Sequence, residues 1–137
     1  MKNFRTKNGI FSGNVGIGTT SPEEKLHIEA AVAPTILIEN TDGSASADQS
    51  LGAIEFKGND ASAGAGGIRA KINAEYRGVG GATALILSTA AESAALEPRV
   101  YIQHNGNVGI GTTSPLHKLH IADGNNGDMS VGGSHDI

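Results

Sequence analysis

Apolar and polar residues alternate along the middle of the chain, and this pattern predicts β-strands. The longest alternation covers residues 67–77, where Ile68, Ile72 and Tyr76 fall on one side and Lys71 and Glu75 on the other. A period of two sustained over ten residues is typical of a strand with one covered face and one wet face. We therefore expect the side that carries the isoleucines to be buried and the charged side to be solvated.

Four other segments are also predicted to be strands, namely 35–40, 53–57, 82–89 and 99–104; of these, 82–89 favours a strand on both faces and is expected to be more buried. Turn signals separate them at residues 40–43, at 78–81 and at Asn105–Gly106. Residues 90–96 are expected to form a loop or a single turn, because so short a run is marginal as a helix. The connections are shorter than a parallel crossover requires. The pattern thus predicts an all-β fold, a small antiparallel β-sandwich.

One sixteen-residue sequence occurs twice. Residues 13–28 read GNVGIGTTSPEEKLHI and residues 106–121 read GNVGIGTTSPLHKLHI, so that 14 of 16 positions are identical. Two copies are too few for a solenoid, which needs about three repeats. We interpret them as Gly-rich extended connectors that flank a central β module. The predicted parts are an N-terminal arm with the first connector (1–28), the central module (29–105), the second connector (106–123) and a Gly-rich tail (124–137).

The composition predicts self-association. Hydrophobic residues make up 38% of the 137 residues, aromatic residues make up 4%, and 20 residues are glycine. Glycine and alanine carry almost no apolar side-chain surface, so a lone chain would bury little area per residue. An assembly of several chains would supply the missing burial.

Charge and hydropathy exclude several classes of protein. The net charge of −4 leaves no basic surface for nucleic-acid binding. No apolar run approaches the roughly 20 residues that span a bilayer, and the first residues lack the apolar stretch of a signal peptide. The chain has no cysteine, which excludes disulfides and thiol catalysis. We expect neither a nucleic acid nor a membrane as partner.

The repeated string GNVGIGTTSPxxKLHI resembles a repeat of bacteriophage tail fibres, particularly those of marine and cyanobacterial phages. Residues 34–72 and 99–106 are similar to the β module and the short strand that precede this repeat in such fibres. The resemblance extends over residues 13–121. It implies a non-enzymatic structural protein of the virion, a homotrimer of parallel chains that contacts other virion proteins and carries no cofactor.

The resemblance also implies that three chains wind together and interlock at each connector. The alternation of glycine with β-branched residues agrees with this, because glycine permits close backbone approach and the larger side chains fill the space near an axis. The candidates for the trimer interface are Val15, Ile17, Leu26, Ile28, Val108, Ile110, Leu119 and Ile121.

The chain has no counterpart of the self-cleaving chaperone that ends many such fibres, and it has no long shaft. We therefore expect a short tail or head fibre, or a capsid decoration (cement) protein on the virion surface. Its ends would then dock on the virion, with Phe4, Phe11, Met129 and Val131 as candidates. A further alternative is a receptor-binding module that contacts host surface polysaccharide through the loops 41–50 and 60–66.

The histidines and the loop carboxylates are the candidate metal ligands. A threefold axis would triplicate any one of His27, His104, His117, His120 and His135, so that an axial cation is the alternative to solvated histidine. Asp42, Asp48 and Asp60 lie in turns, where such side chains ordinarily bond the backbone, and a calcium site is the alternative. We expect no metal site.

Catalytic chemistry has weak support in the sequence. Glu55 and Glu75 lie on predicted wet faces, which favours solvated carboxylates over a glycosidase pair. The glycine loops at 16–21 and 109–114 lack the strand-loop-helix context of a nucleotide site. The charged stripe of residues 69–77 predicts cross-strand pairing in solvent. We expect no catalytic residue.

Overall fold

The structure is a computed structural model that describes residues 11–44, 46–60, 66–78, 80–92 and 94–122. The chain divides into two units, Met1–Leu37 and Ile38–Ile137. Every regular element in the described residues is a strand, which confirms the predicted all-β class. Within these residues no helix is long and apolar enough to cross a membrane.

The first unit contains a parallel pair of short strands, built by the first copy of the repeat. Strand β1 (Val15–Ile17) pairs with β2 (Leu26–Ile28). Each strand has three residues, so the loop 18–25 needs to return the chain over only about 10 Å. A short loop spans that distance without a helix. The expectation that the connections are too short for parallel pairing is therefore wrong for the repeat.

The second unit contains one six-stranded sheet whose spatial order follows the chain. Its strands are β3 (Ser50–Gly58), β4 (Gly67–Tyr76), β5 (Thr83–Ala90), β6 (Leu96–Gln103), β7 (Val108–Ile110) and β8 (Leu119–Ile121). All neighbours are antiparallel except β7 and β8, which are parallel. The predicted meander is confirmed from β3 to β7, and the second copy of the repeat forms the last two strands.

The strand predicted at residues 35–40 is absent from the structure, in which these residues have no regular secondary structure. Side chains rather than a backbone ladder attach the end of this segment to β3. The amide Nδ2 of Asn40 donates to the carbonyl oxygen of Ser50 at 2.8 Å. The side chain of Ile38 occupies the space above Gly52 that a Cβ would fill. A second correction concerns β6, which begins at Leu96 and so takes in the end of the predicted loop.

The predicted sandwich needs two facing sheets, whereas the described residues of the second unit form one. The pairing register assigns each side chain of this sheet to one of two faces. We call the first the apolar face; Thr89 and Glu97 lie at one margin of it, and its apolar members are Ile54, Phe56, Ile68, Ala70, Ile72, Ala74, Leu85, Leu87, Val100, Ile102, Val108, Ile110, Leu119 and Ile121. We call the opposite one the polar face.

The core lies on the polar face. The buried hydrophobic residues among those described are Ala84, Ile86 and Tyr101. Asn73 and Ser88 are buried beside them, with 4% and 6% of their surface exposed. The alternation of β4 therefore predicts the strand correctly and the covered face wrongly.

The second copy of the repeat explains why the polar face is the covered one. After β7 the chain folds back over Gly109 on this face, where Thr113 and Tyr101 line one cleft and Pro115 is buried. Nothing in the described residues of the unit lies in the same way over Ile68 and Ile72, each of which is 37% exposed. An alternating strand has two faces, and a loop distant along the chain decides which one is covered.

Candidate functional site

The two copies of the repeat fold in the same way, down to individual hydrogen bonds. The amide Nδ2 of Asn14 donates to the carbonyl oxygen of Pro22 at 3.1 Å, and Asn107 donates to Pro115 at 3.3 Å. Each bond joins the residue before the first strand to the far side of the loop. The repeat is thus a recurring structural unit, a parallel β-loop whose asparagine ties the loop to its base.

A histidine in the second strand of each copy also holds the loop. The backbone N–H of Glu23 donates to Nδ1 of His27 at 3.3 Å, and the N–H of Leu116 donates to Nδ1 of His120 at 3.3 Å. An Nδ1 that accepts a hydrogen bond carries no proton. These histidines therefore have a structural role in their own chain, which favours the structural interpretation over an axial cation.

The glycines of the repeat serve a close approach within one chain. A Cβ on Gly16 would lie 2.5 Å from the carbonyl oxygen of Thr19, and the carbonyl of Thr112 occupies the same place above Gly109. Gly111 has a φ of +75°, a conformation that favours glycine, and the carbonyl of Ala122 blocks its Cβ position. We expected these glycines to permit close approach at an axis between chains, whereas in the structure they make room for the returning loop of their own chain.

The predicted interface residues of the second copy lie on the apolar face. Val108 and Ile110 pair with Ile102 and Val100 of β6, and strand β8 continues the same rows with Leu119 and Ile121. In the first copy Ile17 and Leu26 are each 54% exposed, whereas Val15 and Ile28 are partly buried. Four of the eight predicted interface residues thus belong to the six-stranded sheet, and the other four belong to the two-stranded sheet of the first copy.

The apolar face is exposed, although the alternation of β4 predicts that its isoleucines are covered. Seven of its isoleucine, leucine and phenylalanine side chains are between 37% and 53% exposed: Ile54, Phe56, Ile68, Ile72, Leu85, Leu87 and Ile110. Six strands spaced about 4.8 Å apart make this face about 24 Å wide. Contiguous apolar patches of more than a few hundred Å² are rare on soluble monomers and mark interaction sites.

Of the predicted docking residues, Phe11 is 58% exposed. The other three, Phe4, Met129 and Val131, lie outside the described residues, as do residues 61–65 of the proposed receptor-binding loop and His135. The segment that precedes the large sheet is also apolar and exposed, with Ile36 63% and Leu37 80% exposed.

The loop 41–50 is held by hydrogen bonds around Asp42. Its carboxylate accepts from the N–H and Oγ of Ser44, at 3.0 and 2.8 Å, and from Nε2 of Gln49 at 2.7 Å. The backbone hydrogen bond from Ser44 is the main cause that lowers the pKa of Asp42 below its ordinary 3.8. A carboxylate engaged in this way supports a structural role for Asp42.

A cleft of about 290 Å³ opens on the polar face. Its charged lining residues are Lys71, Glu75 and Arg77, and Arg77 pairs with Glu75 at 3.1 Å and with Asp48. The other lining residues are Asn73, Ile86, Ser88, Leu96, Pro98, Tyr101 and Thr113. The charged stripe predicted to be solvated is therefore one wall of a partly enclosed space.

The electrostatics at the middle of the cleft centre on Tyr101. The guanidinium carbon of Arg77 lies 5.6 Å from the centre of the Tyr101 ring, in a cation–π arrangement. Burial raises the pKa of Tyr101 above its ordinary 10.0, Arg77 opposes this, and the negative charges of Glu75 and Asp48 add to it. The hydroxyl of Tyr101 is therefore neutral at physiological pH.

The described residues contain no group of three or more His, Asp or Glu side chains placed to hold a metal ion. The cleft holds one carboxylate, that of Glu75, which is paired with Arg77. Glycoside hydrolysis needs a pair of carboxyl groups facing each other across the substrate. No family model matches the chain, and no curated protein is significantly similar to it.

Proposed function

We propose that the chain is a non-enzymatic structural protein of a bacteriophage virion, a homotrimeric fibre-type module of the tail or head surface. One observation carries the proposal: the six-stranded sheet presents a broad apolar face, which the described residues cover at Gly52 but leave exposed at Ile68, Ile72 and Leu85. The resemblance of the repeat to phage tail fibres supplies the virion context. The role of the protein is then mechanical, because weak single chains become one stable unit on assembly.

The six-stranded sheet is one layer whose apolar face lacks a second layer in the described residues. Stable domains bury sheets between at least two layers, and a sheet covered on one face leaves the other in water. Side chains such as Leu85 and Ile110 are each about two-fifths exposed in the single chain. Burying apolar area stabilises by about 25 cal/mol per Å². A second copy of the chain offers a surface of the same chemistry, so the sandwich layers form between chains.

The apolar face is continuous between the central module and its second connector, and this continuity supports three chains around one axis. The rows of the apolar face run without a break from β3 into β8, which belongs to the repeat. A threefold axis beside this face covers all three copies at once, and closed cyclic symmetry leaves no copy uncovered. The predicted residues Val108, Ile110, Leu119 and Ile121 then lie in the interface.

The molar mass of the purified protein tests the assembly. We expect light scattering to give the mass of three chains, both before and after a mild heat step. A mass of one chain would overturn the proposal, because the apolar face would then be stable in water. A mass of two chains would retain the interface and exclude the threefold axis.

The location of the protein on the virion distinguishes a fibre from a capsid decoration protein. The apolar face suits a short tail or head fibre and a capsid decoration protein equally, since the proposed trimer serves either role. Immunogold labelling of particles of the phage that encodes the chain should place the protein on the tail, on a head fibre or across the shell. Particles without label would contradict a virion role while leaving the trimer intact.

A further inference from the structure

We propose that the first copy of the repeat accepts a β-strand, and that residues 35–37 of a second copy of the chain supply it. The added strand runs antiparallel to β1 along the edge of β1 that faces away from β2. Acceptor and donor both belong to the first unit of their chains. Strand donation of this kind deepens the proposed function, because it rests on self-association and names the segment that one chain gives to the next.

The second copy of the repeat shows the same edge with a strand on it. There β7 lies between β8 and β6, and β6 runs antiparallel to it. The N–H of Gly111 donates to the carbonyl oxygen of Arg99 at 3.0 Å. At the other end of β7, the N–H of Gln103 donates to the carbonyl oxygen of Asn107 at 2.9 Å. The fold of the repeat is therefore compatible with an antiparallel strand at this edge.

The first copy lacks such a strand in the described residues. Strand β1 pairs with β2 alone, in a sheet of two strands. Gly18 is the counterpart of Gly111, but its N–H donates to no backbone carbonyl among the described residues. The sequence before β1 does not repeat β6 either, since residues 6–10 read TKNGI where residues 99–103 read RVYIQ. The edge of β1 is thus open to a strand from elsewhere.

The exposure of the two copies differs as an open edge predicts. Gly109 is buried in β7, whereas its counterpart Gly16 is exposed in β1. His120 is buried in β8, and its counterpart His27 is only partly buried in β2. The two sixteen-residue sequences are nearly identical and form the same hydrogen bonds. The additional burial of the second copy therefore comes from its surroundings, in which β6 is the strand directly paired with it.

Residues 35–37 have the properties of a strand that lacks a partner. Ile36 and Leu37 are 63% and 80% exposed, and they follow the polar residue Thr35 as two apolar residues follow Arg99 in β6. The segment has no regular secondary structure, and no backbone–backbone hydrogen bond joins it to another described residue. An extended segment of this kind adds readily to an exposed sheet edge, where backbone hydrogen bonds hold it.

The register of the second copy predicts which side chains meet. Val100 of β6 lies opposite Ile110 of β7. The equivalent positions place Ile36 of one chain opposite Ile17 of the next, and this contact covers two side chains that are 63% and 54% exposed in the single chain. Leu37 then takes the place of the tyrosine of β6. Each chain has one acceptor edge and one donor segment, so three chains can exchange strands in a closed ring.

Disulfide trapping tests the proposal, because the chain has no cysteine of its own. Chains with Ile17→Cys and chains with Ile36→Cys are co-expressed, purified and oxidised. Opposed residues between the hydrogen-bonded pairs of an antiparallel ladder have Cα atoms about 4.5 Å apart, which is within the range of a disulfide. We expect a cross-linked dimer whose disulfide joins positions 17 and 36, identified by mass spectrometry of its peptides. Absence of this cross-link would overturn the proposal.

A matched pair of variants controls for random collision. Ile17→Cys is co-expressed with Leu116→Cys, because Leu116 is 75% exposed and lies outside the donor segment. Equal cross-linking in the two mixtures would overturn the proposal. A chain that carries both Ile17→Cys and Ile36→Cys tests the origin of the strand. A disulfide formed within one chain would show that the segment pairs with its own β1 and would overturn the exchange.

Amide hydrogen exchange tests the same edge in the unmodified protein. We expect the N–H of Gly18 to exchange at least about tenfold more slowly than an unprotected amide, as the N–H of Gly111 should. Fast exchange at Gly18 with slow exchange at Gly111 would overturn strand donation. Light scattering on the same sample separates the two proposals. A trimer without the cross-link retains the trimeric module and overturns only the exchange, whereas the mass of one chain overturns both.

Discussion

The carbonyl oxygen of Thr112 occupies the space in which a side chain of Gly109 would begin. A Cβ at residue 109 would come closer than 3.0 Å to this oxygen, a distance that real Cβ atoms essentially never show. Gly16 and Thr19 stand in the same relationship in the first copy. The second glycine of the GNVGIG string is therefore required by the loop that returns over it.

Replacing Gly109 should destabilise the fold strongly. We expect Gly109→Ala to lower the free energy of unfolding by about 1–3 kcal/mol, because the added methyl displaces a backbone carbonyl and the loop with it. Urea denaturation at one fixed protein concentration measures the change. The matched control is Gly80→Ala, where nothing lies within 4 Å of the new Cβ. Equal effects of the two substitutions would contradict the close approach.

A charge on the apolar face should prevent assembly. We expect Leu85→Glu to give the mass of one chain in light scattering at a concentration where the unmodified protein gives three, since the carboxylate would be buried without a partner. Leu116→Glu is the control, because Leu116 is 75% exposed and lies outside the sheet. An unchanged mass for Leu85→Glu would show that the interface lies elsewhere.

The raised pKa of Tyr101 predicts a loss of stability in alkali. A group whose pKa is higher in the folded chain stabilises fully below its ordinary value of 10.0 and loses that contribution as the pH rises through the raised pKa. We expect the difference in unfolding free energy between the unmodified protein and Tyr101→Phe to be constant near pH 8 and to shrink above about pH 10. Denaturation curves across that range measure it, and a difference independent of pH would contradict the prediction.

The lowered pKa of Asp42 predicts the opposite dependence in acid. Its stabilising hydrogen bonds are complete above the ordinary value of 3.8 and are lost as the pH falls through the lowered pKa. We expect the amide resonance of Ser44 to titrate with a midpoint below 3.8. Asp42→Asn should abolish this transition. A midpoint at or above 3.8 in the unmodified protein would be inconsistent with the hydrogen bonds from Ser44 and Gln49.

Sequence patterns predicted where the strands lie better than they predicted which segments pair with them. The alternation of residues 67–77 located β4 within one residue, and the turn signals at 78–81 and Asn105–Gly106 fall between strands as expected. The segment 35–40 was predicted as a strand and is not one, because Ile38 and Asn40 contact β3 through their side chains. Local apolar pattern does not reveal whether a neighbouring backbone is available for pairing.

The cleft was the least predictable feature. Lys71 and Glu75 have the alternating polar positions of any solvated strand face, and no local signal separates them from one. Their enclosure depends on Tyr101 and Thr113, which lie about thirty residues or more further along the chain. A candidate site of this kind exists only after β4, β5 and β6 are aligned.

The sequence by itself determined the strands and the repeated β-loop, because both rest on interactions between residues close along the chain. Alternation sets the two sides of β4, and hydrogen bonds within sixteen residues make the copies alike. Only the tertiary structure decided which face of the sheet is covered, that the short strands of the repeat pair in parallel, and where Lys71, Ser88 and Tyr101 meet. These features depend on contacts between distant segments, and an alternating strand offers both of its faces equally until such a contact forms.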